Sequence, residues 1–323
     1  MSDRAQPLGG PRGDLDHPHH QHGLPLGPLD FGLSLKKVGS KYPLIALYTD
    51  AFPAEGHAAL DARGILKRHV PYLLPSVSKD YTNDVRFYDC WSKLTPFSLV
   101  EYDRVVQLDS DMVALQNMDE LMDLELDAPE LEGTGNRVFA ASHACVCNPL
   151  QKAHYPKDWI PANCAFTTQH NDPESAQTTG PPPTAGLGMP NGGLQVVNPS
   201  QGTYDKISAQ LASSTASSYD FADQSLLGDV FHGRWVAIPY IYNALKTLRW
   251  KGVHDAIWRD DKVKNVHYIL SPKPWDEWKA QQKGTQDQDQ DSQKSRDPSH
   301  AWWIALNEER LKTERAQSLN DGF

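Results

Sequence analysis

Short apolar runs alternate along the chain with longer segments that have helical spacing. The runs predicted as strands are 43–49, 85–88, 105–108, 138–142, 194–197, 235–238 and 266–269. Helical spacing predicts helices at 54–69, 118–126 and 199–211, a short helix ending at Gly39, and a terminal helix from Ala301. This alternation of strands and helices predicts an α/β fold, and no internal repeat is present.

One of these predicted strands ends at two carboxylates. The apolar run Val105–Leu108 stops at Asp109-Ser110-Asp111, and apolar residues resume at Met112. Alternate side chains of an extended backbone point the same way, so Asp109 and Asp111 are expected to project together. Two adjacent carboxylates repel each other unless a positive charge lies between them, which favours a divalent cation holding a phosphorylated ligand. The alternative is an ordinary turn, because aspartate and serine favour turns.

Other polar residues follow later predicted strands, where ligands gather in α/β folds. Asn191 precedes the tandem glycines Gly192 and Gly193, which form a tight turn or let backbone lie close to a ligand. Asp220 and Asp223 precede a helical segment, and either of them could cap it.

The cysteines allow two interpretations. The four residues Cys90, Cys145, Cys147 and Cys164 are too few for a disulfide framework and are expected to be reduced. Together with His143, the last three could bind zinc. The alternating spacing also fits a strand that buries small thiols, and it matches the usual zinc spacings only loosely.

Composition and charge exclude several classes of partner. The 323 residues carry 31 basic and 41 acidic side chains, a net charge of −10, which argues against nucleic acid or an anionic membrane as the main partner. A few lysines concentrated locally can still bind phosphates. No apolar run approaches the roughly 20 residues of a membrane span, and the N-terminus lacks the apolar core of a signal peptide, so a cytoplasmic location is expected.

The chain divides into four parts by composition. Residues 1–28 are rich in Gly, Pro, Asp and His and are predicted to be a disordered tail. A folded domain is predicted over 29–278, with a flexible loop at 167–189. A polar linker is predicted at 279–299, and a helix at 300–323 that docks through its tryptophans.

Five short elements, taken in order, resemble glycosyltransferase family 8, which includes glycogenin and galactinol synthase. The elements are Lys93, Asp109-Ser110-Asp111, Asn191-Gly192-Gly193, Asp220-x-x-Asp223-Gln224, and His267 followed by Lys273-Pro274-Trp275. The resemblance covers about 29–275 and is strongest to fungal galactinol-synthase-like members. It implies the GT-A fold, a Rossmann-like central mixed sheet flanked by helices, and a retaining hexosyltransferase that uses a UDP-sugar.

The resemblance also implies roles for these residues. Asp109, Asp111 and His267 would bind Mn²⁺, and Mg²⁺ is a second option; carboxylate oxygens with an imidazole suit manganese better. The catalytic residues would be Asp223, Gln224 and Lys273, with Lys273 neutralising charge on the departing UDP. Substrate would be bound by Lys93, Ser110, Asn191, Gly192, Gly193 and Asp220.

Two routes to retention of configuration stay open, and one class of acceptor is expected. Retention requires a carboxylate nucleophile, for which Asp223 is the candidate, or departure and attack on the same face of the sugar, which we favour. The segment after Tyr242-Asn243 has no tyrosine where glycogenin glucosylates itself, so a small polyol or saccharide is the expected acceptor. A homodimer is a further expectation.

One element of the family pattern is absent. Family members usually open with a strand of the type Thr-Leu-x-Thr-x-x-x-Tyr that contacts uracil and ribose, and here the Gly/Pro/His tail lies in its place. Two alternatives to an active enzyme therefore stay open: a catalytically impaired UDP-sugar-binding or scaffold protein, and a zinc-binding module built on Cys145, Cys147 and Cys164.

Overall fold

The computed structural model describes residues 26–77, 79–282 and 297–323. Its helices are α1 (Leu26–Lys37), α2 (Ala54–Ala62), α3 (Gln201–Leu211), α4 (Ala222–Val230), α5 (Pro274–Gln282) and α6 (His300–Ala316). Its strands are β1 (Ile45–Tyr48), β2 (Leu66–His69), β3 (Val105–Leu108), β4 (Met112–Ala114), β5 (Phe139–His143), β6 (Pro190–Val197), β7 (Val236–Ala237), β8 (Ala244–Leu245) and β9 (Asn265–His267).

The strands form three sheets that position the ends of β3 and β9 side by side. The largest sheet has the order β3-β6-β5-β7, with β6 antiparallel to both neighbours and β7 parallel to β5. A second sheet has the order β4-β9-β8, in which Met112 pairs with His267. The third sheet is the parallel pair β1-β2. The predicted α/β class with a mixed sheet is confirmed.

Two predicted elements are wrong. The helix predicted at 54–69 ends at Ala62, because Gly64 turns the chain with φ +64° and Leu66–His69 then pairs with β1. The strand predicted at 85–88 is a 3₁₀ turn, Val85–Tyr88. Only Phe87 of these four residues is buried, while Val85 is 46% exposed. The run therefore lacks the continuous buried apolar face of a strand in a sheet.

Two segment boundaries are also shifted. Helix α1 begins at Leu26, so the predicted tail of 28 residues overlaps its first turn. Helix α5 continues to Gln282, inside the predicted linker at 279–299. The remaining tail, 1–25, and the linker residues 283–296 lie outside the described residues.

The terminal helix α6 ends at Ala316, before the predicted end at 323, and it packs through a tryptophan. Trp303 of α6 is fully buried and lies edge-on to Trp275 and Trp278, with ring centroids 5.8 and 6.5 Å apart. The region 167–189 contains short 3₁₀ turns and contributes the buried Gln177, whose amide donates to the Ile257 carbonyl at 2.7 Å. Its flexibility stays a prediction.

A groove of about 1040 Å³ separates β1 from β3. Its walls include Ile45–Tyr48 of β1 and Val105–Leu108 of β3. Within the described ranges, β1 pairs only with β2 and β3 only with β6, so each strand has one edge without a partner strand. The absence of a family first strand stays a prediction. None of the described helices is long and apolar enough to span a membrane.

Candidate active site

The Asp109-Ser110-Asp111 segment is held between two strands. The Asp109 amide donates to the Gly193 carbonyl of β6 at 2.8 Å, and the Tyr268 amide donates to the Asp111 carbonyl at 2.8 Å. These two bonds fix the backbone between β3 and β4, with Ser110 exposed between the aspartates. Helix α1 packs on the same segment, because a Cβ at Gly27 would lie 2.0 Å from the Ser110 carbonyl oxygen.

Three predicted metal ligands converge at this point. His267 Nε2 lies 3.1 Å from Asp111 Oδ1 and 3.6 Å from Asp109 Oδ2. One donor atom from each residue lies within 4.8 Å of the others. His267 is buried and the carboxylates are partly buried, so the three groups form a partly enclosed donor set of two oxygens and one nitrogen. Such a set fits a divalent cation.

A chain of hydrogen bonds fixes the proton of His267. The Gly193 amide donates to Asn191 at 2.9 Å, so the Asn191 atom is the oxygen. The same oxygen accepts from Asn243 Nδ2 at 2.8 Å, which leaves Asn243 Oδ1 to accept from His267 Nδ1 at 2.8 Å. His267 therefore carries a proton on Nδ1 and directs Nε2 to the carboxylates, the orientation that a metal ligand requires.

Sequence reasoning missed Asn243 as part of the site. It is fully buried, and it lies 24 residues before His267, between Tyr242 and the apolar pair Ala244-Leu245. A polar residue in an apolar run was the available signal, because a buried amide requires hydrogen-bond partners.

Each carboxylate has its own lysine. Lys273 donates to Asp111 Oδ2 and to the Tyr268 carbonyl, and Lys93 donates to Asp109 Oδ2 at 2.7 Å. Burial alone would raise the pKa of Asp111, but His267 and Lys273 lower it well below its usual value. Burial alone would lower the pKa of Lys93, but Asp109 raises it well above its usual value. Lys273 and His267 therefore favour the ionised form of Asp111.

The tandem glycines make room for site side chains. A Cβ at Gly192 would lie 2.1 Å from Asp223 Oδ2, and a Cβ at Gly193 would lie 2.4 Å from His267 Cε1. Both glycines are in β6 and not in a tight turn, so that interpretation is wrong. The absence of side chains at these two positions lets Asp223 and His267 lie directly against the strand.

Asp223 and Gln224 enter the site from the first turn of α4. Asp223 is 2% exposed, and its Oδ2 has no hydrogen-bond partner. Burial raises the pKa of Asp223 to about 7 against the opposing effect of Lys93. Gln224 Oε1 accepts from the Gly192 amide at 3.3 Å. Asp223 and Gln224 therefore both contact β6 at Gly192.

Asp220 is not brought into this cluster. It is exposed and pairs with Lys79, and it does not line the cavity. The interpretation of Asp220 or Asp223 as a helix cap is also wrong, because Phe221 precedes α4 without a side-chain cap.

The convergent residues line a cavity of about 450 Å³. Eleven of the twelve predicted site residues line this cavity. The wall also contains residues that sequence reasoning did not select: Arg86, Asn148, Tyr155, Trp159, Phe221 and Thr247. Trp159 and Phe221 stack with ring centroids 4.0 Å apart, and Tyr155 lies edge-on to both rings. The cavity therefore adds an aromatic group to the charged cluster. The sequence shows the charged residues directly, whereas the aromatic group is assembled only by packing.

Comparisons with known proteins agree with this geometry. The family described as Glycosyl transferase family 8 matches residues 34–279. Galactinol synthase 1 of Ajuga reptans is 25% identical over 299 residues, covering 91% of this chain and 80% of its own. Galactinol synthase 4 of Arabidopsis thaliana is 27% identical over 252 residues, covering 77% and 69%.

Solved structures show the same fold. The galactosyltransferase LgtC in complex with donor and acceptor sugar analogs has a TM-score of 0.52 at 15% identity, covering 88% of this chain and 91% of its own. The glycosyltransferase GlyE of Streptococcus pneumoniae TIGR4 has a TM-score of 0.51 at 15% identity, covering 91% and 62%. Since the family match extends over more than half of the chain and the architecture is that of these enzymes, the chain belongs to glycosyltransferase family 8 and adopts the GT-A fold.

Proposed function

We propose that this protein is a retaining, manganese-dependent hexosyltransferase, similar to galactinol synthase. It moves a hexose from a UDP-sugar to a hydroxyl group of a small polyol or saccharide. The observation that carries the proposal is the convergence of Asp109, Asp111 and His267 within 4.8 Å, with Lys273 bound to the same acidic pair. The names of the galactinol synthases that match this chain support the acceptor class.

The residues fit the metal. Two carboxylates and an imidazole whose Nε2 faces them would hold Mn²⁺, and Mg²⁺ is the less suited alternative because it prefers oxygen and water. When bound, the cation would supply a positive charge for the diphosphate of the donor. The chain itself contributes the preset orientation of His267, so this ring does not have to turn before a metal binds.

Two lysines act on the donor phosphates. Lys273 lies on the segment after β9 and reaches Asp111, so its ammonium group is already placed beside the metal ligands. Its role is to offset the charge that develops on departing UDP. Lys93 lies in the 3₁₀ segment Cys90–Ser98 on the Asp109 side and contacts phosphate or sugar.

Asp223 and Gln224 orient the transferred sugar. Asp223 is nearly fully buried, and its pKa near 7 leaves it only partly ionised at neutral pH, which weakens it as a nucleophile. We therefore favour attack and departure on the same face of the sugar, with Asp223 and Gln224 hydrogen-bonded to sugar hydroxyls. Asn191 and Ser110 complete the donor side of the cavity wall.

The test is UDP release from a panel of UDP-hexoses with Mn²⁺ and myo-inositol or a disaccharide as the acceptor. Asp109→Asn removes one ligand charge and is expected to lower the rate about 100-fold or more. Asp103→Asn is the matched control, since Asp103 is exposed on the same segment before β3. Equal rates for wild type and Asp109→Asn would end the proposal.

The alternative of a catalytically impaired UDP-sugar-binding protein has a distinct signature. The open edges of β1 and β3 are the structural feature that motivates it. Calorimetry that detects UDP binding with Mn²⁺, in protein that releases no UDP from any donor, would favour this alternative. A homodimer and a cytoplasmic location stay predictions.

A further inference from the structure

A second group of metal-ligand side chains lies outside the acidic cluster. Cys145, Cys147, Cys164 and His254 each place a donor atom within 4.8 Å of the others. Three of the four residues are buried, with His254 and Cys164 at 0% and 1% exposure. No disulfide joins the three cysteines, so their sulfurs are free to act as ligands.

The distances fit one tetrahedral ion. His254 Nε2 lies 3.2 Å from Cys147 Sγ and 3.2 Å from Cys164 Sγ. Zinc bonds of about 2.3 Å to sulfur and 2.0 Å to nitrogen place tetrahedral ligand atoms roughly 3.5–3.8 Å apart. The four side chains therefore surround a point at which zinc would need only small displacements of the sulfurs.

His254 has the orientation of a ligand. Its Nδ1 lies 2.8 Å from Nε2 of His170, so an Nδ1 proton donated to His170 would leave Nε2 of His254 to face the sulfurs as a ligand. Metal-ligating histidines usually donate their other ring nitrogen in this way. His170 is not a member of the four-residue cluster, so it acts on the metal through His254 as a positioning residue.

The cluster joins two segments that have little regular structure. Cys145, Cys147 and Cys164 follow the end of β5 at His143, and His254 lies in turns between β8 and β9. His254 is 107 residues from Cys147 and 90 from Cys164. Irregular segments have few backbone hydrogen bonds to hold them together, so a shared metal ion would supply a link that the sheets do not.

The structure corrects both sequence interpretations of the cysteines. The strand that would bury small thiols ends at His143, before Cys145. His143 is not in the cluster, since its Nε2 contacts the Pro182 carbonyl at 3.0 Å. The ligand that completes the set is His254, which no local spacing connects to the cysteines.

We propose that Cys145, Cys147, Cys164 and His254 bind one structural zinc ion. Four protein ligands leave no open position, which is the arrangement of structural sites, not of catalytic zinc sites. Thiolates select zinc, whereas the carboxylates of the acidic cluster select manganese or magnesium, so the two metals do not compete for one site.

This ion would brace a wall of the active-site cavity. Cys145 lines the cavity, and the residues that follow the second ligand, Asn148, Pro149 and Leu150, line it as well. The part of the cavity wall formed by Cys145 and residues 148–150 would therefore be fixed to the His254 segment through zinc.

The experiment measures metal content in the purified full-length chain after incubation with zinc and desalting. We expect about one zinc per chain in the wild type, and a loss of at least tenfold in Cys164→Ser and in His254→Ala. Cys90→Ser is the matched control, because Cys90 is outside the cluster, and it retains zinc. Asp109→Asn is also expected to retain zinc, because Asp109 belongs to the other cluster. The zinc measurement therefore tests this proposal independently of the transferase proposal.

Wild-type protein alone can overturn the proposal, even where the variants fail to fold. Cobalt added to metal-free wild type is expected to give the intense visible absorption of tetrahedral thiolate coordination. Zinc content below one tenth of an equivalent, an octahedral cobalt spectrum, or a disulfide among the three cysteines in unreduced protein would each refute it.

The positioning role of His170 has its own test. His170→Ala is expected to keep the stoichiometry at one zinc but weaken zinc affinity about 10- to 100-fold. His170→Gln offers an amide oxygen to His254 Nδ1 and is expected to restore most of the affinity. Equal zinc affinities in wild type and His170→Ala would remove this role.

Discussion

At the scale of single residues, the proton on His267 decides what the acidic cluster can bind. The Asn243 oxygen accepts from Nδ1 of His267, and this bond directs Nε2 of the ring to the carboxylates. The Asn243 amide is in turn oriented by Asn191 and the Gly193 backbone. A residue two contacts away from the proposed metal therefore controls its ligand.

Replacing Asn243 tests this control. Asn243→Ala leaves Nδ1 of His267 without its acceptor, and we expect Mn²⁺ affinity to fall about 10- to 100-fold because the ring loses its fixed tautomer. Titration calorimetry or manganese electron paramagnetic resonance measures the affinity. Asn117→Ala is the control, because Asn117 binds carbonyls of Val38 and Gly39 away from the cavity. Unchanged affinity in Asn243→Ala would contradict the argument.

Asp223 gives a pH dependence of stability in metal-free protein. Its pKa of about 7 in the folded protein is above the ordinary 3.8, so folding favours the protonated form. This contribution is complete below pH 3.8 and is lost as the pH rises to about 7. As the pH rises from 3.8 to about 7, the wild type loses this stabilisation and Asp223→Asn does not. We therefore expect the free energy of unfolding of Asp223→Asn, relative to that of the wild type, to increase by up to about 4 kcal/mol across this pH range. Urea unfolding at several pH values measures it, and a constant difference would contradict it.

The sequence identified the charged half of the site and missed its supports. Asp109, Asp111 and Lys273 are visible because charged residues at strand ends break apolar runs. Asn243 contacts His267, 24 residues away, and His254 contacts cysteines about 100 residues away. No helical or strand spacing in the sequence connects residues over such distances. Their roles follow from packing, which a single sequence does not contain.

At the scale of elements, the ends of the chain are joined by a buried charge network. Arg310 of α6 pairs with Asp30 of α1 at 2.7 Å and with Glu314 at 2.8 Å. Arg63, just after α2, also binds Glu314 and reaches Asp321. Helices α1 and α6 and the residue that follows α2 therefore share one set of charges, with Asp30 fully buried.

Removing Arg310 should destabilise the fold strongly. Arg310→Ala leaves Asp30 buried without its partner, and we expect a loss of about 3–5 kcal/mol in the free energy of unfolding. Lys37→Ala breaks the exposed pair with Glu309 between the same two helices and is expected to cost under about 1 kcal/mol. Urea unfolding of both variants measures the difference, and similar losses would show that the network contributes little.

The overlong helix prediction at 54–69 has an identifiable cause. Ile65 and Leu66 continue the helical spacing of 54–62, but Gly64 turns the chain and Leu66 belongs to a strand because β1 lies beside it. The chain alone does not show that neighbour. By contrast, the strand at 105–108 was located correctly, and the run at 194–197 is the second half of β6, since short apolar runs favour strands.

At the scale of the whole molecule, one cavity is lined by the acidic cluster and by Cys145, a member of the second metal-ligand cluster. The acidic cluster is built from β3, β9 and the turns beside them, and Cys145 reaches the same cavity from the segment after β5. The fold class could be predicted from the order of strands and helices. The division of the strands into three sheets could not be predicted, because it depends on which strand edges, such as those of β1 and β3, lack a partner strand.

The groove between β1 and β3 has a consequence for isotope labelling. Because the Asp109 amide points to β6, the alternating backbone directs the amides of Val106 and Leu108 toward the groove. We expect these two amides to exchange with deuterated solvent at least tenfold faster than the amide of Gln107, which faces β6. Residue-resolved exchange measures this. Equally slow exchange at all three would mean that further polypeptide occupies the groove in solution and completes the sheet.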